Sequence, residues 1–216
     1  LIYGSNLAAK MEFEMDVINF SKKIGITNLR FPGGGSDGYR WKEGKFDFSQ
    51  RPNDAPLSKM KHVIAFSKKA GAELVIQVNL ESGTAQEAAE WVDFMNKQEN
   101  FRVTYWELGN EIYGDWDKAY MSGEKYAELI KEYSKAMRAV DPSIKIGANW
   151  GGPNYDAFDR AVIQNAADHI DFVSYHWYPN HTNPDKKYQG RAHPLAEEIM
   201  ANSLAVTDAV ERVNRM

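Results

Sequence analysis

Two periods of apolar residues take turns along the chain. Compact β-rich runs such as Leu74-Val75-Ile76-Gln77-Val78 are followed by stretches in which apolar residues recur every three or four positions, as at Ala88, Trp91, Val92 and Met95. The first pattern suits a strand, and the second lays one apolar stripe along a helix. The chain therefore predicts strands at 1–8, 26–31, 73–79, 103–108, 144–148 and 171–175. Between and after them it predicts helices over 14–24, 56–70, from Thr84 onward, 123–140, 155–167 and 194–213. The punctuation agrees. Gly25 and Gly71 stand where helices close, Thr84-Ala85-Gln86-Glu87 has capping-box spacing, and Asp141-Pro142 stops a helix. Phe20-Ser21-Lys22-Lys23-Ile24-Gly25-Ile26 is echoed by Phe66-Ser67-Lys68-Lys69-Ala70-Gly71-Ala72, a helix end, a glycine and a strand start in both cases. No Pro/Gly/Ser-rich linker interrupts the pattern, so residues 1–216 read as one domain.

Strict alternation of strand and helix argues a parallel sheet, either open and doubly wound or closed into a barrel. The polar residues favour closure. Asn6, Arg30, Asn79, the pair Asn110-Glu111, Trp150 and His176 each fall at the C-terminal end of a predicted strand. A barrel brings all such ends to one mouth, whereas an open sheet needs them only at its switch point. The expected fold class is α/β, an incomplete (β/α)8 TIM barrel with about six βα units present and the last two lacking.

Composition narrows the partners. Hydrophobic residues make up 43%, enough for a packed core, and the net charge of −4 argues against nucleic acid or an anionic membrane. Lysine pairs at 22–23, 68–69 and 186–187 read as solvated helix ends or loops. With no cysteine, disulfides, thiol nucleophiles and thiolate metal sites are excluded. No apolar run is long enough to span a bilayer and no signal peptide is visible, yet the chain opens on Leu1 without an initiator Met. A secreted or periplasmic location is expected over a cytoplasmic one.

The strongest chemical signal is Tyr105-Trp106-Glu107-Leu108-Gly109-Asn110-Glu111, running off the fourth predicted strand. A carboxylate at a barrel mouth can protonate a glycosidic oxygen and later activate water, while the adjacent amide binds a hydroxyl. The plainer reading is an Asn-Glu pair that opens a loop. Two other patterns lead nowhere. Gly33-x-Gly35-x-x-Gly38 matches the dinucleotide fingerprint, but a loop follows it where a helix is required. His176 and His181 have neither helical spacing nor a carboxylate partner, so neither a metal nor any other cofactor is expected.

The Leu-Gly-Asn-Glu of residues 108–111 resembles the signature of clan A glycoside hydrolases, and the longer string resembles the family 51 α-L-arabinofuranosidases. Leu29-Arg30-Phe31-Pro32-Gly33-Gly34, Asp141-Pro142-Ser143-Ile144 and Ser174-Tyr175-His176-Trp177-Tyr178 resemble further motifs of that family, in its order, over residues 1–180. The resemblance implies a retaining hydrolase, exo-acting on α-L-arabinofuranosides of plant polysaccharides. Glu111 would be the general acid/base, Asn110 would bond the sugar 2-hydroxyl, and Arg30 would orient the nucleophile carboxylate. His176 and Tyr178 would line the subsite near that nucleophile, with Asn6, Asn79 and Trp150 as further substrate contacts.

Departures from the family pattern bear on specificity and completeness. Asn6 stands where the family carries a substrate-binding Glu, and Gly35-Ser36-Asp37 where Pro-Gly-Gly continues with Asn. Another clan A glycanase acting on xylan, β-glucan or an algal glycan, or a non-catalytic carbohydrate-binding barrel, therefore stays open. The family's nucleophile is a second Glu at the end of a seventh strand. No strand-ending Glu follows Tyr178, and Glu197-Glu198 read as first-turn helix acids. These 216 residues alone are expected to be inactive, and to self-associate through unpaired edge strands. An oligo- or polysaccharide is the expected partner.

Overall fold

A computed structural model describes residues 4–7, 15–33, 38–47, 59–176 and 211. Apart from residue 211, the predicted helix over 194–213 lies outside the described residues, as do Tyr178, His181 and Glu197-Glu198. In order, the elements are β1 (Gly4–Asn6), α1 (Met15–Lys23), β2 (Asn28–Phe31), β3 (Tyr39–Arg40), β4 (Lys45–Phe46), α2 (Met60–Ala70), β5 (Glu73–Val78) and α3 (Ala85–Asp93). After them come β6 (Tyr105–Leu108), α4 (Gly123–Val140), β7 (Lys145–Trp150), α5 (Asp156–Ala166) and β8 (Phe172–Tyr175).

Six strands form one parallel sheet in the order β1-β2-β5-β6-β7-β8. Each is paired with the next strand of its own βα repeat, the order of an unrolled barrel rather than of a doubly wound sheet. This is the sheet of a (β/α)8 barrel.

The two faces of the sheet differ in chemistry. Leu29 and Phe31, Leu74 and Ile76, Trp106 and Leu108, and Ile146 and Ala148 are all buried on the helix side. The alternate residues, which face the barrel axis, include Asn6, Arg30, Gln77, Glu107, Asn149 and Ser174. Register sets them side by side: Asn6 pairs with Arg30, Gln77 with Glu107, and Asn149 with Ser174. A polar layer therefore crosses the upper barrel, above an apolar wall packed against α2, α3, α4 and α5.

Helix ends follow the sequence signals. Thr84 caps α3 by accepting from Glu87 N at 3.1 Å, and Gly71 closes α2 in the left-handed region at φ 71°. Two features depart from expectation. The helix from Thr84 widens into a π turn over Phe94–Gln98, which aims Asn96 at the entry to β6. There its amide holds both Val103 N (2.7 Å) and Val103 O (3.1 Å), as well as Asp141 (2.8 Å). The segment after the Gly-rich loop is a hairpin of β3 and β4, not an open loop. It folds because Tyr39 is buried between Phe31, Phe46 and Trp91, while Trp41 stacks on Trp91 at 5.7 Å. Gly38 thus leads into a strand, which removes the dinucleotide reading.

Candidate active site

The site grows from the end of β6. Gly109 leaves the strand with φ 77°, and Glu111 itself sits in the left-handed region at φ 49°. A Cβ on Gly109 would lie 2.1 Å from Ile112 Cδ1, so the turn needs glycine for space as well as for its dihedral. Ile112 is fully buried and pins the turn from below. On the helix side, the Tyr126 hydroxyl donates to Leu108 O (2.6 Å) and accepts from Asn149 N (2.9 Å).

Beneath the turn lies a buried ion pair that the expected site did not contain. Glu107, 1% exposed, accepts from Arg30 Nε at 2.6 Å and from Arg30 Nη2 at 2.9 Å, and from Asn149 Nδ2 at 3.0 Å. Burial alone would raise its carboxyl. The hydrogen bonds from Arg30 and His176 and the Arg30 charge override that and hold it at about 2. Its signal was present in the sequence, since a carboxylate at an inward position of a barrel strand must find a cation.

Arg30 connects this pair to the residues above. Its Nη2 also donates to Asn110 Oδ1 at 2.9 Å, and its Nη1 reaches Asn6 Oδ1 at 3.4 Å. Gln77 Nε2 donates to the same Asn110 oxygen at 3.1 Å, so the orientation of the Asn110 amide is fixed from two sides. Gln77 and Asn149, which were not among the expected site residues, tie the turn down through Gly109 O at 3.5 and 3.3 Å.

The Glu111 carboxylate is held at both oxygens. His176 Nδ1 lies 2.8 Å from Oε1, and Trp116 Nε1 donates to Oε2 at 3.1 Å. The other ring nitrogen of His176 is 3.2 Å from Arg30 Nη2 and 3.8 Å from Glu107 Oε1. Burial pushes the imidazole pKa down and so does the Arg30 charge, but Glu107 and Glu111 carry it above its ordinary value. The result is one solvent-reachable carboxylate, at 18% exposure, standing over a second that is sealed and held in its ionised form at neutral pH.

Asn6, Arg30, Asn110, Glu111 and His176 are therefore brought together. Two expected residues are not. Asn79 spends its side chain on its own turn, accepting from Glu81 N (3.0 Å) and Ser82 N (3.1 Å) and donating to Ser82 Oγ. Trp150 is 1% exposed, in alternation with Ile146 and Ala148 on the helix side of β7. Among the described residues no group of His, Asp and Glu is placed to hold a metal ion.

No family model matches the chain. Its relatives are α-L-arabinofuranosidases. It is 26% identical to the intracellular exo-α-(1→5)-L-arabinofuranosidase 1 of Bacillus subtilis, over 94% of this chain and 46% of that protein. Among solved structures, a family 51 α-L-arabinofuranosidase from Bifidobacterium longum superposes with a TM-score of 0.81 at 22% identity, covering 98% of this chain and 49% of that one. The arabinose complex of the Thermotoga maritima α-L-arabinofuranosidase gives 0.71 at 26% identity, covering 99% and 52%. The chain spans about half the length of the curated relatives it matches. The expectation of a secreted or periplasmic location is corrected here, because relatives from several bacteria are named intracellular.

Proposed function

We propose that the chain is the acid/base half of a retaining, exo-acting α-L-arabinofuranosidase. The observation that carries this reading is Glu111, offered at a strand-end turn beside Asn110, whose amide is fixed by Arg30 and Gln77. Glu111 protonates the glycosidic oxygen as the bond to the anomeric carbon breaks. A second carboxylate, at the end of a seventh strand in the resembled family, attacks that carbon to form the glycosyl-enzyme. Glu111, now ionised, then takes a proton from the water that releases the sugar. Asn110 meets the 2-hydroxyl, and Arg30, with Nε and Nη2 committed to Glu107, turns Nη1 toward the side where Asn6 lies. An intracellular exo-enzyme meets soluble oligosaccharides rather than polymer, so short arabino-oligosaccharides are the proposed substrates.

The test is Glu111→Gln in the full-length protein that contains this chain. Hydrolysis of arabino-oligosaccharides should fall by about 100- to 10,000-fold, the usual span for a lost general acid/base, with activated aryl arabinofuranosides spared in the bond-breaking step. Equal loss on both refutes the acid/base role, and a wild type that prefers xylan or β-glucan refutes the sugar assignment. On the same reading the 216 residues alone hydrolyse nothing, because Glu107 is sealed by Arg30 and no glycosyl-enzyme forms without the nucleophile carboxylate that the resembled family carries on a seventh strand. β1 and β8, the outer strands of the sheet among the described residues, would pair with another copy, which size-exclusion chromatography would show as self-association.

A further inference from the structure

Asp159 is wholly buried in the first turn of α5, and no step of the proposed chemistry uses it. Both of its oxygens are spent on backbone: Oδ1 accepts from Gly151 N at 2.8 Å and Oδ2 from Gly152 N at 2.9 Å. Successive backbone N–H groups form a small concavity for an anion, and a carboxylate that fills it fixes both peptide planes at once. The clamp holds a turn that would not keep its shape unaided. Gly152 has φ 77° and ψ −158°, a region that in practice only glycine occupies.

Two aromatic residues lie against the clamped turn. A Cβ on Gly152 would fall 2.5 Å from Tyr175 Cε2 and 2.9 Å from its hydroxyl oxygen, so the phenol rests on the Gly152 backbone. Tyr175 is the last residue of β8, in register with Trp150, and His176 follows it directly. A Cβ on Gly151 would fall 2.4 Å from Tyr155 Cβ, and Tyr155 N donates to Gly152 O at 2.9 Å. Tyr155 in turn meets the Trp116 ring edge-on at 6.3 Å and 78°. His176 and Trp116 are the two residues bonded to Glu111, one at each carboxylate oxygen. The Gly151-Gly152 turn therefore stands behind both, and Asp159 stands behind the turn. A glutamate side chain is long and loses several rotations when ordered, so it is aimed by whatever holds its oxygens.

We propose that Asp159 is a positioning residue for the acid/base. By clamping Gly151 and Gly152 it sets Tyr175 and Tyr155, and through them the imidazole and the indole that aim the Glu111 carboxyl. The proposal rests on Glu111 being the acid/base. Asp159→Asn puts an amide in the clamp. Its oxygen still accepts from one glycine, but its NH2 faces the N–H of the other, and two donors set face to face leave both without an acceptor. The turn shifts, Tyr175 and Tyr155 follow it, and the carboxyl is no longer held against the glycosidic oxygen.

The experiment measures kcat/KM of the full-length protein on an arabino-oligosaccharide and on an activated aryl arabinofuranoside, for wild type, Asp159→Asn, Tyr175→Ala and Glu111→Gln. A purely structural role only reduces the folded fraction, so it lowers both values by one factor and leaves their ratio at the wild-type value. A mis-aimed acid is selective, because the aryl leaving group needs little protonation. In Asp159→Asn the oligosaccharide value should fall about 10- to 100-fold further than the aryl value, the scale of a catalytic group displaced by about 1 Å. Tyr175→Ala keeps the clamp and removes the ring that rests on it, and should be selective in the same direction. Asp159→Asn decides wherever it folds, and Tyr175→Ala decides by the same ratio where it does not. A wild-type ratio in the deciding variant overturns the proposal. A wild type that cleaves neither substrate, or a Glu111→Gln whose ratio stays at the wild-type value, refutes the acid/base reading itself, and the proposal falls with it.

Discussion

Replacing Glu107 by Gln keeps the shape of the buried side chain and removes its charge. The carboxylate receives Arg30 through two nitrogens and Asn149 through one, at 1% exposure, and its pKa is held at about 2 against an ordinary 4.5. That depression of about 2.5 units corresponds to about 3 kcal/mol favouring the ionised form in the folded state, at 1.36 kcal/mol per unit. Breaking a buried pair by removing one charge typically costs about 3–5 kcal/mol, because the partner is left buried and unpaired. The two routes agree on about 3 kcal/mol at pH 7. Since the folded pKa is depressed, this stability is complete above the ordinary carboxylate range and drains away as pH falls from 4.5 toward 2. At pH 3 the stability gap between wild type and Glu107→Gln should be about 2 kcal/mol smaller than at pH 7. Urea unfolding of both proteins at the two pH values measures it. An unchanged gap means that Glu107 is not ionised in the folded protein and refutes the ion-pair argument.

Gly109→Ala should lower stability by about 2–4 kcal/mol in the same assay, combining a left-handed dihedral with a methyl group driven into Ile112. It should also reduce hydrolysis, since the turn carries Asn110 and Glu111. Tyr126→Phe should cost about 1–3 kcal/mol by removing two buried hydrogen bonds, to Leu108 O and from Asn149 N, and a Tm equal to wild type would contradict this. The His176 ring, followed by nuclear magnetic resonance, should titrate above 6.5 and move down in Glu107→Gln. Its contribution to stability is complete below pH 6.5 and is lost as pH rises through the raised value.

Much of this architecture was legible where local chemistry and tertiary packing agree. The helix predicted over about 123–140 spans Gly123–Val140: Asp141-Pro142 ends it as read, and Ser122 caps its start. Ala88, Trp91, Val92 and Met95, read as one stripe, are all buried. The hairpin at Tyr39–Phe46 was missed because its strands are two residues long and its order comes from Trp91, 45 or more residues away in the chain. The π turn after Asp93 was missed because its cause is Asn96 bonding across to Val103 and Asp141. At the site, Arg30, Asn110, Glu111 and His176 stood out as reactive residues at strand ends, and the structure places them in one cluster. Glu107, Gln77 and Asn149 were overlooked because they lie inside strands, where only the inward register shows that they meet. Asn79 and Trp150 were chosen for the same strand-end position. What position alone does not show is that an Asn can spend its amide on its own turn, or that a Trp can fall on the other face.

The Tyr126 hydroxyl has a mechanical consequence. The β6–β7 ladder runs in register to Leu108 and Ala148. At its upper end the Leu108 carbonyl and the Asn149 amide each also bond the Tyr126 phenol oxygen. A side chain from α4 therefore braces the last rung of the wall from the helix side. Just above it Gly109 turns, and beside it the Asn149 side chain descends to Glu107. The outer helix layer thus sets the height at which the turn carrying Asn110 and Glu111 leaves the sheet.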